Sequence, residues 1–251
     1  MTRTFSLPDD EKPAIDKMAV LEFFEKRAEK VKNLGTTRVV IYQDKNPDLA
    51  ERRDAAEKSL LYPMIQLSKE EHVLDAGCGS GRWAELIIPN CGTYHGVDVS
   101  PGLVGIATQR LGHLPNAWFS VCSLDEISLP KIGAANFFSR ILSFGVFMYL
   151  NDDAVMQALR KMALVAAPQA RIILREPVAM PCRLTLKEHF SDDMDQYYNA
   201  IYRTESEFLA MLDATVGGSG FRLINSGDVY AEPELNNRAE TKHRWFLLER
   251  D

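Results

Sequence analysis

The chain has 251 residues, 46% of them hydrophobic, enough to bury a full core, so one domain with insertions is expected. With 35 acids against 29 bases the net charge at pH 7 is −6, which argues against a nucleic-acid backbone as partner and favours a small molecule. No run of about 18 apolar residues occurs, so no membrane span is expected; MTRTFSLPDDEKPAID has no apolar signal core, and four cysteines without CxxC spacing read as reduced thiols of a cytoplasmic protein.

Residues 11–67 read helical. Met18, Leu21, Phe24, Ala28 and Val31 share one face at three- and four-residue spacing. The short apolar piece RVVIYQ leads to a helix in which Asn46 caps, Pro47 takes the first position, and Leu49, Ala56, Leu60 and Met64 form a stripe. Residues 1–67 are therefore expected to form an N-terminal helical cap. From His72 onward strands and helices alternate: HVLDAG, a helix from Arg82, TYHGVDVS, a helix from Pro101, AWFSVCS, ANFFSRILSFG, a helix from Asn151, and ARIILREP. That alternation predicts an α/β fold, a parallel sheet covered by helices on both faces. Residues 178–216 break the rhythm and read as a mostly helical, Tyr-rich insert before two closing strands, FRLINSGDVYA and TKHRWFLLER. The expected core is 68–251 with the insert inside it.

VLDAGCGSG, residues 73–81, places glycines at 77, 79 and 81 directly after the first strand of the alternation. Such a turn sits at the carboxyl edge of the sheet, where ligands bind. It is neither the dinucleotide fingerprint, since Arg82 holds the place of the third glycine, nor a P-loop, since Gly-Lys-Ser/Thr is absent. Asp75 is awkward beside a pyrophosphate but suits a ligand with a cationic end. GVDVS ends the next strand with Asp98, where a carboxylate can accept both hydroxyls of a ribose.

VLDAGCGSG followed by GVDVSPGLVGIATQRL resembles the first two motifs of the class I S-adenosylmethionine-dependent methyltransferases. The resemblance covers residues 72–176 and implies a Rossmann-like, doubly wound, seven-stranded sheet with its last strand antiparallel. It implies S-adenosylmethionine as cofactor and S-adenosylhomocysteine as product. Carried over, Gly77, Gly79 and Gly81 pass under the amino-acid part of the cofactor, Asp75 orients its ammonium, Asp98 binds the ribose and Val99 flanks the adenine. Ser123 stands where the family often has an acid for the adenine amino group, with Leu124 offering its backbone N–H. In SFGVFMYLND, Phe144 and Gly145 are expected near the methionine portion and Tyr149 near the transferred methyl group. Tyr42 and Gln43, at a helix entrance, are expected to close over the cofactor, with the Tyr42 ring near the sulfonium.

Methyl transfer is an in-line displacement, so alignment and exclusion of water are the main tasks. Glu176, at the end of a central strand, is the first candidate for acceptor contact, and His189 has the intrinsic acidity of a general base. Arg175, Arg183, Tyr198, Tyr202, Arg203 and Arg238 form an arginine–tyrosine set suited to a carboxylate or phosphate. A small anionic acceptor, methylated on oxygen or nitrogen, follows. The histidines at 72, 95 and 113 lack ligand spacing, so no metal is expected. Two other readings are a non-catalytic, cofactor-binding scaffold, and an RNA or protein methyltransferase. The acceptor atom and the oligomeric state stay open at this point.

Overall fold

The computed structural model describes residues 3–236 and 238–251. The chain opens with β1 (Arg3–Ser6) and three helices, α1 (Lys17–Glu29), α2 (Val31–Ile41) and α3 (Pro47–Ile65). The starts of α1 and α3 are explicable locally. Asp16 accepts the Ala19 N–H at 2.8 Å, and Asn46 accepts the Leu49 N–H at 3.1 Å ahead of Pro47. α2 kinks at Gly35, whose φ of 75° is open to a residue without Cβ.

The alternating section follows in order as β2 (His72–Ala76), α4 (Ala84–Ile87), β3 (Thr93–Asp98), α5 (Pro101–Leu111), β4 (Ala117–Val121), β5 (Phe138–Phe144), α6 (Asp152–Val165) and β6 (Ala166–Ala179). Then come β7 (Arg183–Ser191), β8 (Gln196–Tyr202), α7 (Glu205–Asp213), β9 (Arg222–Asp228) and β10 (Thr241–Arg250). The main sheet has seven strands in the order β4-β3-β2-β5-β6-β10-β9, parallel as far as β6, with β10 antiparallel to both neighbours. This is the expected doubly wound sheet. Its central strands are apolar on both faces because helices cover both. Leu74, Ile141 and Leu174 pack with α6 and α7 on one side, while Val73, Leu142 and Ile173 pack with Leu61 and Ile65 of α3 on the other. The strand order reverses between β2 and β5, which opens a crevice at their carboxyl ends.

The insert differs from the helical expectation. β7 and β8 form an antiparallel hairpin, and β1 adds to it as a third strand in the order β1-β7-β8, so the N-terminal segment is not all helical either. The spacing of Tyr197, Tyr198 and Tyr202 suggested a helix. On a strand, Tyr198, Ala200 and Tyr202 alternate inward and are buried, while Tyr197 points outward at 64% exposure. Within the insert only α7 is an α-helix. The hairpin packs against Ile15, Val20 and Phe23, so the first helix and the small sheet form one layer above the crevice. Among the described residues no helix is long and apolar enough to cross a membrane.

Candidate active site

The crevice holds a large cavity, with about 1730 Å³ of empty space counting its open mouth. Strand order sorts the charges along its floor. Asp98 ends β3 and Asp75 lies near the end of β2, whereas Arg175 lies in β6 and His243 in β10, on the other side of the switch point.

At the acidic end the glycine loop is held by its own backbone. The N–H groups of Gly77 and Cys78 donate to the Val97 carbonyl at 2.8 and 3.0 Å, and a side chain at Gly77, where φ is 91°, would overlap Val146. The loops after β2 and β5 therefore touch where the strand order reverses. Asp98 accepts the Gly79 N–H at 2.9 Å and the Ser100 N–H at 3.0 Å, while burial pushes its carboxyl above the usual carboxylate range against the pull of those bonds. Asp75 accepts the Tyr94 hydroxyl at 2.6 Å, and burial pushes its carboxyl up to about 6. Val40, Val99, Leu103 and Leu124 supply an apolar wall, and Ser123, hydrogen-bonded to Asp125, adds a hydroxyl. Gly81 is the exception. It turns toward Leu111 and Ala107 and does not line the cavity; its N–H closes the turn on the Cys78 carbonyl at 3.0 Å.

Tyr42, Gln43, Phe144 and Tyr149 line the middle. Tyr42 caps α2 in the left-handed region at φ 63°, which swings its ring under the first helix. Its hydroxyl is hydrogen-bonded to Tyr149, and burial pushes it up to about 12. Phe144 packs on Trp83 at 4.8 Å between centroids.

At the basic end, buried Glu57 of α3 is ion-paired to Arg82 at 2.5 Å and Arg175 at 2.8 Å, and the Trp83 indole N–H donates to it at 3.1 Å. Burial alone would raise its carboxyl, yet the two guanidiniums pull it down to about 2. Arg53, one turn earlier on α3, donates to the Leu235 carbonyl at 2.8 and 2.6 Å. Arg238 donates to the hydroxyls of Tyr198 and Tyr202 at 2.9 and 3.1 Å. Tyr230, Asn236 and His243 complete this wall.

Four expected residues lie elsewhere, each for a clear reason. Glu176 is 3% exposed and faces away from the main cavity, where its carboxylate accepts the N–H groups of Val146, Phe147 and Met148 at 2.8, 3.1 and 3.3 Å. It anchors the turn after β5 and has no position from which to meet an acceptor. Arg203 and Arg183 converge on Asp152 at 2.6 and 2.8 Å, and Arg203 also donates to the carbonyls of Phe147 and Leu150. They tie the hairpin to α6. His189 lies on β7 with its ring edge against Tyr198 at 5.8 Å and is outside the cavity lining.

The residues that sequence reasoning missed are Arg53, Glu57, Arg82, Tyr230, Asn236 and His243. Arg53 and Glu57 carried a signal, an i,i+4 pair of opposite charge on one helix face. Asn236 and His243 sit in ELNNRAETKHRW, from which only Arg238 stood out.

Residues 73–169 match the family model described as a methyltransferase domain. Phosphoethanolamine N-methyltransferase 1 of Haemonchus contortus, solved with phosphoethanolamine and S-adenosylhomocysteine, superposes with a TM-score of 0.68 at 15% identity, over 93% of this chain and 49% of that one. Magnesium protoporphyrin IX methyltransferase of Synechocystis, solved with S-adenosylmethionine, gives 0.59 at 17% identity, over 96% of this chain and 100% of that one. These likenesses show a shared fold. An uncharacterized protein of Methanocaldococcus jannaschii is 25% identical over 173 residues, 65% of this chain and 44% of that protein. The chain thus spans about half the length of that relative and of the Haemonchus enzyme.

Proposed function

We infer that this chain, whose residues 73–169 match the methyltransferase-domain family model, is a class I methyltransferase that uses S-adenosylmethionine to methylate a small anionic molecule. The observation that carries the reading is the polarity of the cavity: buried carboxylates at one end, arginines with tyrosine hydroxyls at the other. The acidic end fits the cofactor chemically. Asp75 would hold its ammonium, Asp98 its ribose hydroxyls, and the wall of Val99, Leu103 and Leu124 its adenine. Ser123 adds a hydroxyl beside the ring, and Gly77 and Gly79 allow close backbone approach. When bound, the cofactor supplies a methyl group on a positively charged sulfur.

The other residues then have defined tasks. Arg238 and Arg175, with Tyr198 and Tyr202, hold the carboxylate or phosphate of the acceptor, each contact a charge-assisted hydrogen bond in a partly desolvated site. Tyr42 and Tyr149, joined by their hydroxyls, line the middle of the cavity, where a sulfonium would lie beside their aromatic rings. The layer of α1 and the β7–β8 hairpin excludes water, and holding both reactants in line replaces an encounter by a positioned step.

The test is release of S-adenosylhomocysteine from protein incubated with S-adenosylmethionine and a set of small carboxylates and phosphomonoesters, beside their neutral amides and alcohols. Turnover confined to the anions, with KM raised at least tenfold by Arg238→Gln, is expected from loss of one buried charge-assisted contact. Equal turnover of the neutral analogues would contradict the reading.

A further inference from the structure

We propose that His243 takes the proton from the acceptor during methyl transfer, and that the acceptor's own negative charge arms it to do so; the proposal rests on the methyl-transfer reading above. His243 stands in β10 opposite Pro177 of β6, at the basic end of the cavity, with its ring 5.2 Å from that of Tyr230. Its Nδ1 is buried and has no hydrogen-bond partner among the described residues, and neither has the nearby Asn236 Oδ1. Two polar atoms without partners in a cavity wall mark where a ligand's N–H or O–H belongs.

The other groups lining this end are poorly suited to the task. Glu57 is tied to Arg82, Arg175 and Trp83 and held near 2, too weak a base. Burial raises the hydroxyls of Tyr202 and Tyr230, so both stay protonated at neutral pH. His243 is different because its environment is conditional. Burial first, then the charges of Arg175 and Arg53, push its imidazole down to about 3, with Arg238 adding to them and Glu57 opposing. In the free protein the ring is therefore neutral, with a lone pair available but of low basicity. An anion paired with Arg238 and Arg175 cancels part of the field that holds the proton off. The imidazole then gains basicity toward the range in which general bases work best, and only when an acceptor is in place.

The step balances as follows. The acceptor oxygen or nitrogen uses a lone pair to bond the methyl carbon, and the C–S pair remains on sulfur, turning sulfonium into thioether. The acceptor's O–H or N–H pair reverts to the acceptor atom, and the proton passes to the imidazole, which becomes imidazolium.

The experiment is an NMR pH titration of histidine-labelled protein saturated with S-adenosylhomocysteine, with the His243 signals assigned through His243→Gln. It is run alone, with saturating inorganic phosphate, and with saturating acetate, so that the two kinds of oxyanion are distinguished. Without anion His243 should stay neutral from pH 8 to pH 5. With at least one anion bound its midpoint should enter that window, a gain of roughly 100-fold in proton affinity. Titration near 6.5 without anion would overturn the proposal, as would a ring still neutral at pH 5 with an anion bound at the arginines, or failure of both anions to bind. Failure of S-adenosylhomocysteine to bind would instead strike the underlying methyl-transfer reading.

Discussion

Asp75→Asn should make the protein more stable and a worse binder of its cofactor. Asp75 is 3% exposed, and burial lifts its carboxyl from 3.8 to about 6 against the Tyr94 hydrogen bond. Keeping such a group ionised in the folded state costs about 3 kcal/mol at pH 7. Because the folded value is raised, the native protein holds this proton more tightly. The stability it carries is complete below the unfolded value of 3.8 and is lost as pH rises through about 6. Asparagine has the same shape, can accept the Tyr94 hydroxyl and bears no charge. The weaker hydrogen bond offsets about 1 kcal/mol of the gain, leaving about 2 kcal/mol in favour of the variant at pH 7. Urea unfolding at pH 7 and pH 4.5 reads both the sign and the pH dependence: the advantage should shrink as pH falls below 6. Calorimetry on the same samples should show S-adenosylmethionine affinity down at least tenfold, since the ammonium loses its counter-charge. A variant destabilised at pH 7, or with a stability difference independent of pH, would refute the reasoning.

Removal of Glu57 works in the opposite sense. Glu57→Gln leaves Arg82 and Arg175 without their shared buried carboxylate and should cost about 3–5 kcal/mol in urea unfolding. In the unsubstituted protein the Glu57 contribution is present above its unfolded value of 4.5 and is lost as pH falls toward 2, so it belongs to the acid limb of the stability curve. Glu176→Gln leaves a single acceptor oxygen for the three backbone N–H groups that hold the turn after β5; relief of the buried carboxyl, which burial raises, offsets part of that loss, and stability should fall by about 1 kcal/mol. Its pH–rate profile should keep the unsubstituted shape, which a catalytic carboxylate would not allow. Gly77→Ala sets a Cβ on Val146 at a φ of 91°; cofactor affinity should fall at least tenfold, as read by calorimetry.

The main sheet was legible because its signals are local and agree with one another. Val73 and Leu74, or Ile173 and Leu174, are apolar on both faces of a strand, which only a doubly covered sheet explains, and the loop glycines follow at once. The insert was misread because a period of two and a period near four coincide over a few residues. Tyr198 and Tyr202 fit either, and the exposed Tyr197 decided wrongly for a helix. The LTL alternation at 184–186, with Leu184 and Leu186 buried, was the better signal. In the cavity wall, Asp75, Gly77, Gly79 and Asp98 could be placed from their position in the motif, whereas Gly81 could not. Neither could Glu176, since chain position does not tell on which side of a strand's end a carboxylate finds its partners. Arg183 and Arg203 were equally opaque, because Asp152, the group they satisfy, is remote in sequence. His243 enters the cavity through the antiparallel register of β10 on β6, a long-range pairing that no short window contains.

The central claim is that the two carboxylates at the acidic end hold S-adenosylmethionine. Its most direct test is calorimetric titration of the protein with S-adenosylmethionine and S-adenosylhomocysteine, beside NAD and ATP, repeated with Asp98→Ala. Binding of the first pair at micromolar Kd, lost by at least tenfold in the variant, with NAD and ATP silent, is the result predicted. Preference for NAD, or binding of S-adenosylmethionine unaffected by Asp98→Ala, would contradict it.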